Sequence, residues 1–281
     1  MNPNSYRRGT ASLGAAGLLV GLFVAPDAAA TERRFTYTYE SATLGAGERE
    51  IEPWTTLRLG RHDYYRAIDN RVEIEFGLSD RLMTSWYLNL GAETADVPGD
   101  TAGSLKRDTH FSQGISSEWK YKLLDAVADP LGLALYLEGE ATTTELALET
   151  RLIMDKRVGN LLTALNVRGE YEWDSSGGTT EREQLLELDL GAVYFFTPVF
   201  ALGAELVDAN EISEDPDEGT GEWEASILSG GPVVSYSAET WWATLTVLPQ
   251  FANLKRAEGA TARELDEHEK VQARLIFGAH F

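Results

Sequence analysis

The 281-residue chain contains no cysteine, which excludes disulfides, thiol nucleophiles and cysteine metal sites. Beyond residue 30 it has no run of about 18 consecutive apolar residues, so no membrane-spanning helix is expected. Positive charge is scarce: 24 Lys and Arg stand against 45 Asp and Glu, a net charge of −21. That balance argues against a nucleic-acid partner, whose phosphates need concentrated positive charge. No glycine-rich phosphate loop is present, and no cofactor is expected. Histidine is limited to His62, His110, His268 and His280, and none belongs to a sequence-local catalytic motif.

What the chain has instead is alternation. Val72, Ile74, Phe76 and Leu78 alternate with Arg71, Glu73, Glu75 and Gly77. After a Ser79-Asp80 turn, Leu82, Thr84, Trp86, Leu88 and Leu90 return as the second arm of a hairpin. The same period of two recurs from Phe111 to Leu123, Leu133 to Leu137, Leu146 to Met154, Leu161 to Trp173, Leu186 to Phe196, Phe200 to Leu206 and Trp241 to Pro249. The stretch from Trp223 to Tyr236 is ambiguous, because neither face is apolar and Pro232 is awkward within a central strand. Short connections near 79–80, 125–131, 155–159, 197–198 and 237–240 alternate with longer polar ones near 93–109, 174–183, 208–222 and 252–268.

The last strand runs from Val271 to Phe281 and stops on its own aromatic. This ending resembles the terminal strand by which outer-membrane barrels are recognised for assembly, with Phe281 as the signal residue. At the other end, Arg7 and Arg8 precede an apolar stretch from Ala11 to Val24 and the small residues Ala28 to Ala30. Residues 1–30 therefore read as a signal peptide cut after Ala30. The remainder, 31–281, is expected to be a single antiparallel transmembrane β-barrel, all-β, with short periplasmic turns and longer outer loops. Counting back from Phe281 gives eleven strands to residue 66, and Ile51 to Leu59 makes about twelve. A count of fourteen follows if Phe35, Tyr37 and Tyr39 belong to an additional hairpin; otherwise residues 31–50 form a periplasmic or plug-like segment.

A soluble sandwich shares the same periodicity but turns its apolar face inward. The aromatics favour the barrel: Trp86, Trp119, Tyr171, Trp173, Tyr194, Phe196, Trp241 and Phe277 lie on the apolar face, many near strand ends where interfacial girdles sit. The opposite face carries charges of both signs. Arg71, Glu73, Glu75, Glu149, Arg151, Arg168, Glu170, Glu172, Glu187, Asp189 and Arg274 are the candidate pore-lining residues. Pairs such as Glu73/Glu75, Glu170/Glu172 and Glu187/Asp189 are same-face neighbours, costly to bury without cations, so a hydrated lumen is expected. The acidic stretch around Asp215, Asp217 and Glu218 is a weak candidate cation loop, without the spacing of a calcium-binding loop.

Two segments, Gly47-Glu48-Arg49-Glu50-Ile51-Glu52-Pro53-Trp54 and Gly77-Leu78-Ser79-Asp80-Arg81-Leu82, resemble a group of uncharacterised proteobacterial outer-membrane barrels. The resemblance implies location in the outer membrane, contact with lipid and lipopolysaccharide, and recognition by the barrel-assembly machinery. It carries over no functional residue. The expected function is a narrow passive channel for small solutes or cations. The alternatives are a structural or surface-interaction barrel without a conducting pore and, third, a lipid-modifying enzyme, in which His110 beside Thr109 and Ser112 is the candidate base. The expectation is against an enzyme.

Overall fold

The computed structural model describes residues 32–99, 103–175, 180–214, 221–256 and 261–281. The expected signal peptide lies outside the described residues, as do Asp215, Asp217 and Glu218. Twelve strands follow one another: β1 (Arg49–Leu59), β2 (Tyr65–Ser79), β3 (Leu82–Pro98), β4 (Leu105–Leu124), β5 (Gly132–Thr142), β6 (Glu145–Val158), β7 (Leu161–Asp174), β8 (Glu181–Thr197), β9 (Phe200–Glu214), β10 (Gly221–Ser237), β11 (Trp241–Asn253) and β12 (Val271–His280). Each pairs antiparallel with its neighbour, and β12 closes on β1 with Glu50 opposite His280. The result is one closed twelve-stranded barrel; residues 35–39 form no extra hairpin, so the count is not fourteen.

Alternation explains both faces. In β8, Leu186, Leu188 and Leu190 are exposed while Asp189 between them is fully buried. Exposed Leu, Val, Trp and Phe run around the outside of every hairpin, the reverse of a soluble sandwich. Near the end carrying Phe281, here the lower end, outward aromatics touch in sequence. Tyr194 meets Phe196, Phe196 meets Phe200, and Tyr236, Trp241 and Phe277 follow at ring separations of 5.5 and 5.6 Å.

Three sequence expectations need correction. The ambiguous segment is a continuous strand, β10, because its missing donor is accommodated: the ladder to β11 has no pair between Ser229 and Val233, and Pro232 falls in that gap. Most of the expected loops at 93–109 and 208–222 is strand, as are both ends of 174–183. Beyond the apolar band, water wets both faces and the alternation disappears, yet the ladder continues through polar pairs such as Arg107–Asp96 at 3.0 Å and Thr94–Thr109 at 3.1 Å. Length also does not separate the two ends cleanly. Thr143-Thr144 is a two-residue turn at the upper end, whereas 125–131 is a longer connection at the lower end.

Residues 32–48 precede β1 and contribute no strand. They enter the lumen from the lower end, rise to Tyr37 and descend again. Gly45 passes so close to Gly77 that any side chain at Gly77 would strike the Gly45 carbonyl oxygen. The three aromatics of this segment each join a buried apolar cluster. Phe35 packs with Leu162, Val193 and Phe195; Tyr37 with Val207 and Leu248; Tyr39 with Trp54, Tyr87, Tyr136 and Trp242. The apolar core thus lies inside the barrel, around a segment that is not part of the wall.

Candidate functional site

Charged residues reach the lumen because they occupy the inward positions of strands whose outward positions are leucine. Strand pairing then decides which of them meet. Across β1 to β7, Glu50, Glu75, Ser85, Glu118, Glu138, Glu149 and Glu170 are successive direct partners in the ladder. Barrel strands tilt, so such a row climbs the wall, from the lower end at Glu50 towards the upper mouth at Glu170. Directly below runs a second row, Lys120, Tyr136, Arg151, Arg168 and Glu187.

The two rows form ion pairs with each other on β5 to β8, where the carboxylates outnumber the guanidinium groups. Arg151 lies 3.0 Å from Glu149 and 3.0 Å from Asp189. Arg168 reaches Glu149 at 2.7 Å, Glu170 at 2.5 Å and Glu187 at 3.3 Å. Arg71 pairs with Glu138, and its guanidinium stacks over Tyr87 at 4.3 Å.

The inserted segment is bound to this wall through its backbone. Glu205 accepts hydrogen bonds from the amides of Thr36, Tyr37 and Thr38 at 3.1, 2.9 and 2.8 Å. Asn166 accepts from the Tyr39 amide at 2.6 Å and donates to the Tyr39 carbonyl at 3.0 Å. Arg151 donates to the Tyr37 carbonyl and Arg274 to the Thr36 carbonyl. Asp155 takes the Ser41 amide. A segment without ladder partners must satisfy its polar groups in this way when buried.

Space remains on both sides of the segment. A cavity of about 490 Å³ lies above it, bordered by Tyr37, Tyr39, Trp54, Arg58, Arg61 and by Glu267, His268 and Glu269 of the connection before β12. One of about 280 Å³ lies below, bordered by Arg33, Arg34, Glu40, Lys120, Lys122 and Arg157. A third of about 200 Å³ opens beside Glu140, Glu170 and Glu172. Arg71, Glu149, Arg151, Arg168, Glu187 and Arg274 border the upper cavity, Glu170 and Glu172 the third, and Glu75 the lower one. Glu73 and Asp189 are buried behind them, at 1% and 0% exposure. The expected hydration of Glu73 is therefore corrected, since it is buried in the wall, whereas Glu75 still borders the lower cavity.

His268, in the loop between β11 and β12, stands at the rim of the upper cavity. Its Nδ1 is 2.5 Å from Glu264 and its Nε2 2.8 Å from Glu211 on β9. Burial lowers its affinity for a proton, but the two carboxylates outweigh this and push it up to about 9. His280 leans towards Glu50, Nδ1 to Oε2 3.5 Å, and is largely covered by the barrel. His110 stands opposite Glu93 in the ladder, and the Thr109 hydroxyl beside it pairs with Thr94.

Several lumen residues escaped sequence reasoning. Trp54, Tyr87, Tyr136 and Trp242 point inward and were not among the candidate pore-lining residues. Their signal was position: Trp54 shares a face with Glu52 and Tyr136 with Glu138, and Trp242 shares one with Thr244 and Thr246. Glu205, the main anchor of the segment, is marked as inward by the alternation of Leu202, Ala204 and Leu206, but nothing local marks it as an anchor.

A closed antiparallel barrel with an apolar outside, an aromatic girdle and a charged lumen is an outer-membrane β-barrel protein. Residues 27–281 match the model of a family of unknown function, DUF6662, and the chain belongs to that family. Among solved structures it is similar to an outer-membrane channel from Pseudomonas putida F1, at 13% identity and TM-score 0.61, covering 89% of this chain and 100% of that one. It also matches the NanC porin at 10% identity and TM-score 0.48, covering 82% and 99%, and the KdgM porin at 11% and 0.44, covering 83% and 99%. At these identities the likeness is one of fold. No curated protein matches the chain.

Proposed function

We propose that the barrel is a narrow passive channel for small solutes or cations, and that residues 32–44 stand in its lumen as a plug. The observation that carries this reading is the pair of cavities, a polar one of about 490 Å³ above the inserted segment and a more apolar one of about 280 Å³ with charged residues on its border below. A barrel whose interior only stabilises the wall has no need of continuous charged rows beside open space. The upper end faces outward and the end with Phe281 faces the periplasm, so the plug enters from the periplasmic side. Phe281 serves recognition by the assembly machinery, and the outer leucine face contacts lipid and lipopolysaccharide.

At the upper mouth Glu140, Glu170 and Glu172 border one cavity with a single guanidinium pair, Arg71 and Arg168, facing them. Cations are therefore the preferred ions. The test is the reversal potential of single channels in a salt gradient. Glu170→Gln with Glu172→Gln should reduce the cation-to-anion permeability ratio several-fold. An unchanged ratio removes these residues from the path.

The density of hydrogen bonds to residues 36–41 favours a second reading, a structural or surface barrel that never opens. Open-state currents from folded protein distinguish the two.

A further inference from the structure

Glu50 and Glu52 on β1 face Glu75 and Glu73 on β2 as two direct ladder pairs on the lower inner wall. All four side chains are buried, with exposures of 0%, 0%, 6% and 1% respectively. One carboxylate oxygen from each of Glu50, Glu52 and Glu75 lies within 4.8 Å of the other two.

Donors satisfy only part of this group. The Trp242 indole N–H donates to Glu50, and the Trp54 indole N–H donates to Glu52 Oε2 at 3.2 Å. Arg33 approaches Glu52 Oε2 at 3.9 Å, with its guanidinium spread over the rings of Tyr39 and Trp54. Glu52 Oε1, Glu75 Oε2 and both oxygens of Glu73 are buried without a hydrogen-bond partner, and so is the Ser85 hydroxyl that stands opposite Glu75. Burying a carboxylate oxygen unpaired is costly, and several together repel one another. Even with His280 3.5 Å from Glu50 Oε2, one guanidinium and one imidazole do not balance four carboxylates.

The chemistry of the donor set names what would. Only hard oxygen ligands converge. Two oxygens bound to one calcium ion at 2.3–2.6 Å are at most about 5 Å apart, which the three carboxylates meet. Magnesium retains most of its water shell, and with Glu50 and Glu52 at 0% exposure the site has room for water only on its Glu75 side, which suits calcium better. We propose that Glu50, Glu52 and Glu75 bind a divalent cation of the calcium type, with Glu73 and Ser85 as adjacent oxygen donors.

The site lies where β1 closes on β12. Gly278 on β12 makes the approach possible, since a side chain there would strike Trp242 and Glu50 Oε1. A bound cation ties the carboxylates of β1 and β2 together beside the closing seam. It is a fixed site in the wall, so its existence does not depend on whether the lumen conducts.

The test uses the full mature protein, refolded in lipopolysaccharide-free detergent, stripped with chelator and titrated with calcium chloride by calorimetry. One calcium per chain is expected, raising the thermal midpoint. Glu52→Gln and Glu75→Gln should each weaken binding on the order of tenfold or more. The loop variant Asp215→Asn, Asp217→Asn, Glu218→Gln should leave it unchanged. Should either wall variant not fold, terbium on the wild-type barrel reports the same site: Trp54 and Trp242 adjoin it and should sensitise terbium emission, which calcium then quenches, and the loop variant should keep that signal. Absence of calcium binding by folded wild-type protein overturns the proposal. So does binding that survives both wall substitutions or disappears in the loop variant.

Discussion

Glu205 gathers the amides of three consecutive residues, Thr36 to Thr38, and the hydroxyl of Thr246 on one carboxylate. Hydrogen bonds to a charged group contribute about 1.5–3 kcal/mol each, and the amides left behind would be buried and unpaired. Glu205→Ala should therefore lower the stability of the inserted segment by roughly 3 kcal/mol or more, and Glu205→Gln by less, since one acceptor oxygen remains. Trypsin cleavage after Arg33 and Arg34, followed in folded barrels, reads this out: faster cutting in the alanine variant is expected, and equal protection in both would show that the segment is held by other contacts. At this scale the sequence revealed identities but not company. Alternation against leucine marked Glu149, Arg151 and Arg168 as inward. That Glu138 stands opposite Glu149, or that Asp189 is sealed behind Arg151, depends on the stagger between strands, and no single strand encodes it.

Strand existence was legible wherever one face met lipid and the other did not, as in β2, β3 and β8. It faded where both faces are wet, which is why the upper ends of β3, β4, β9 and β10 read as loops. The long connection between β11 and β12 is fastened to β9 through His268. The protonated ring donates to Glu211 and Glu264 together. Its pKa stands at about 9 against an ordinary 6.5, so the folded state holds the proton more tightly than the unfolded chain does. The stabilisation is then complete below about pH 6.5 and is lost as pH rises through about 9. Thermal midpoints of wild type and His268→Gln, compared from about pH 6 to about pH 10, should differ at the acid end and converge at the alkaline end. A constant difference across that range would mean that the ring acts by packing alone.

For the molecule as a whole, closure and strand count followed from the alternating hairpins and the terminal strand. The fate of residues 32–48 did not. Phe35, Tyr37 and Tyr39 alternate as a strand would, and only the finished lumen, with Glu205, Asn166 and Arg151 waiting at the right heights, gives their backbone partners inside the barrel. The wall and its insert therefore make one functional unit: charged rows and cavities on either side of a segment that is bonded to the wall rather than built into it. The most direct measurement is conductance in planar bilayers, comparing the wild-type barrel with one lacking residues 32–44, both shown to be folded by heat-modifiable mobility. Small or infrequent openings in the wild type and a larger, sustained, cation-preferring conductance in the deletion are expected. A folded deletion barrel that remains electrically silent would contradict the channel reading.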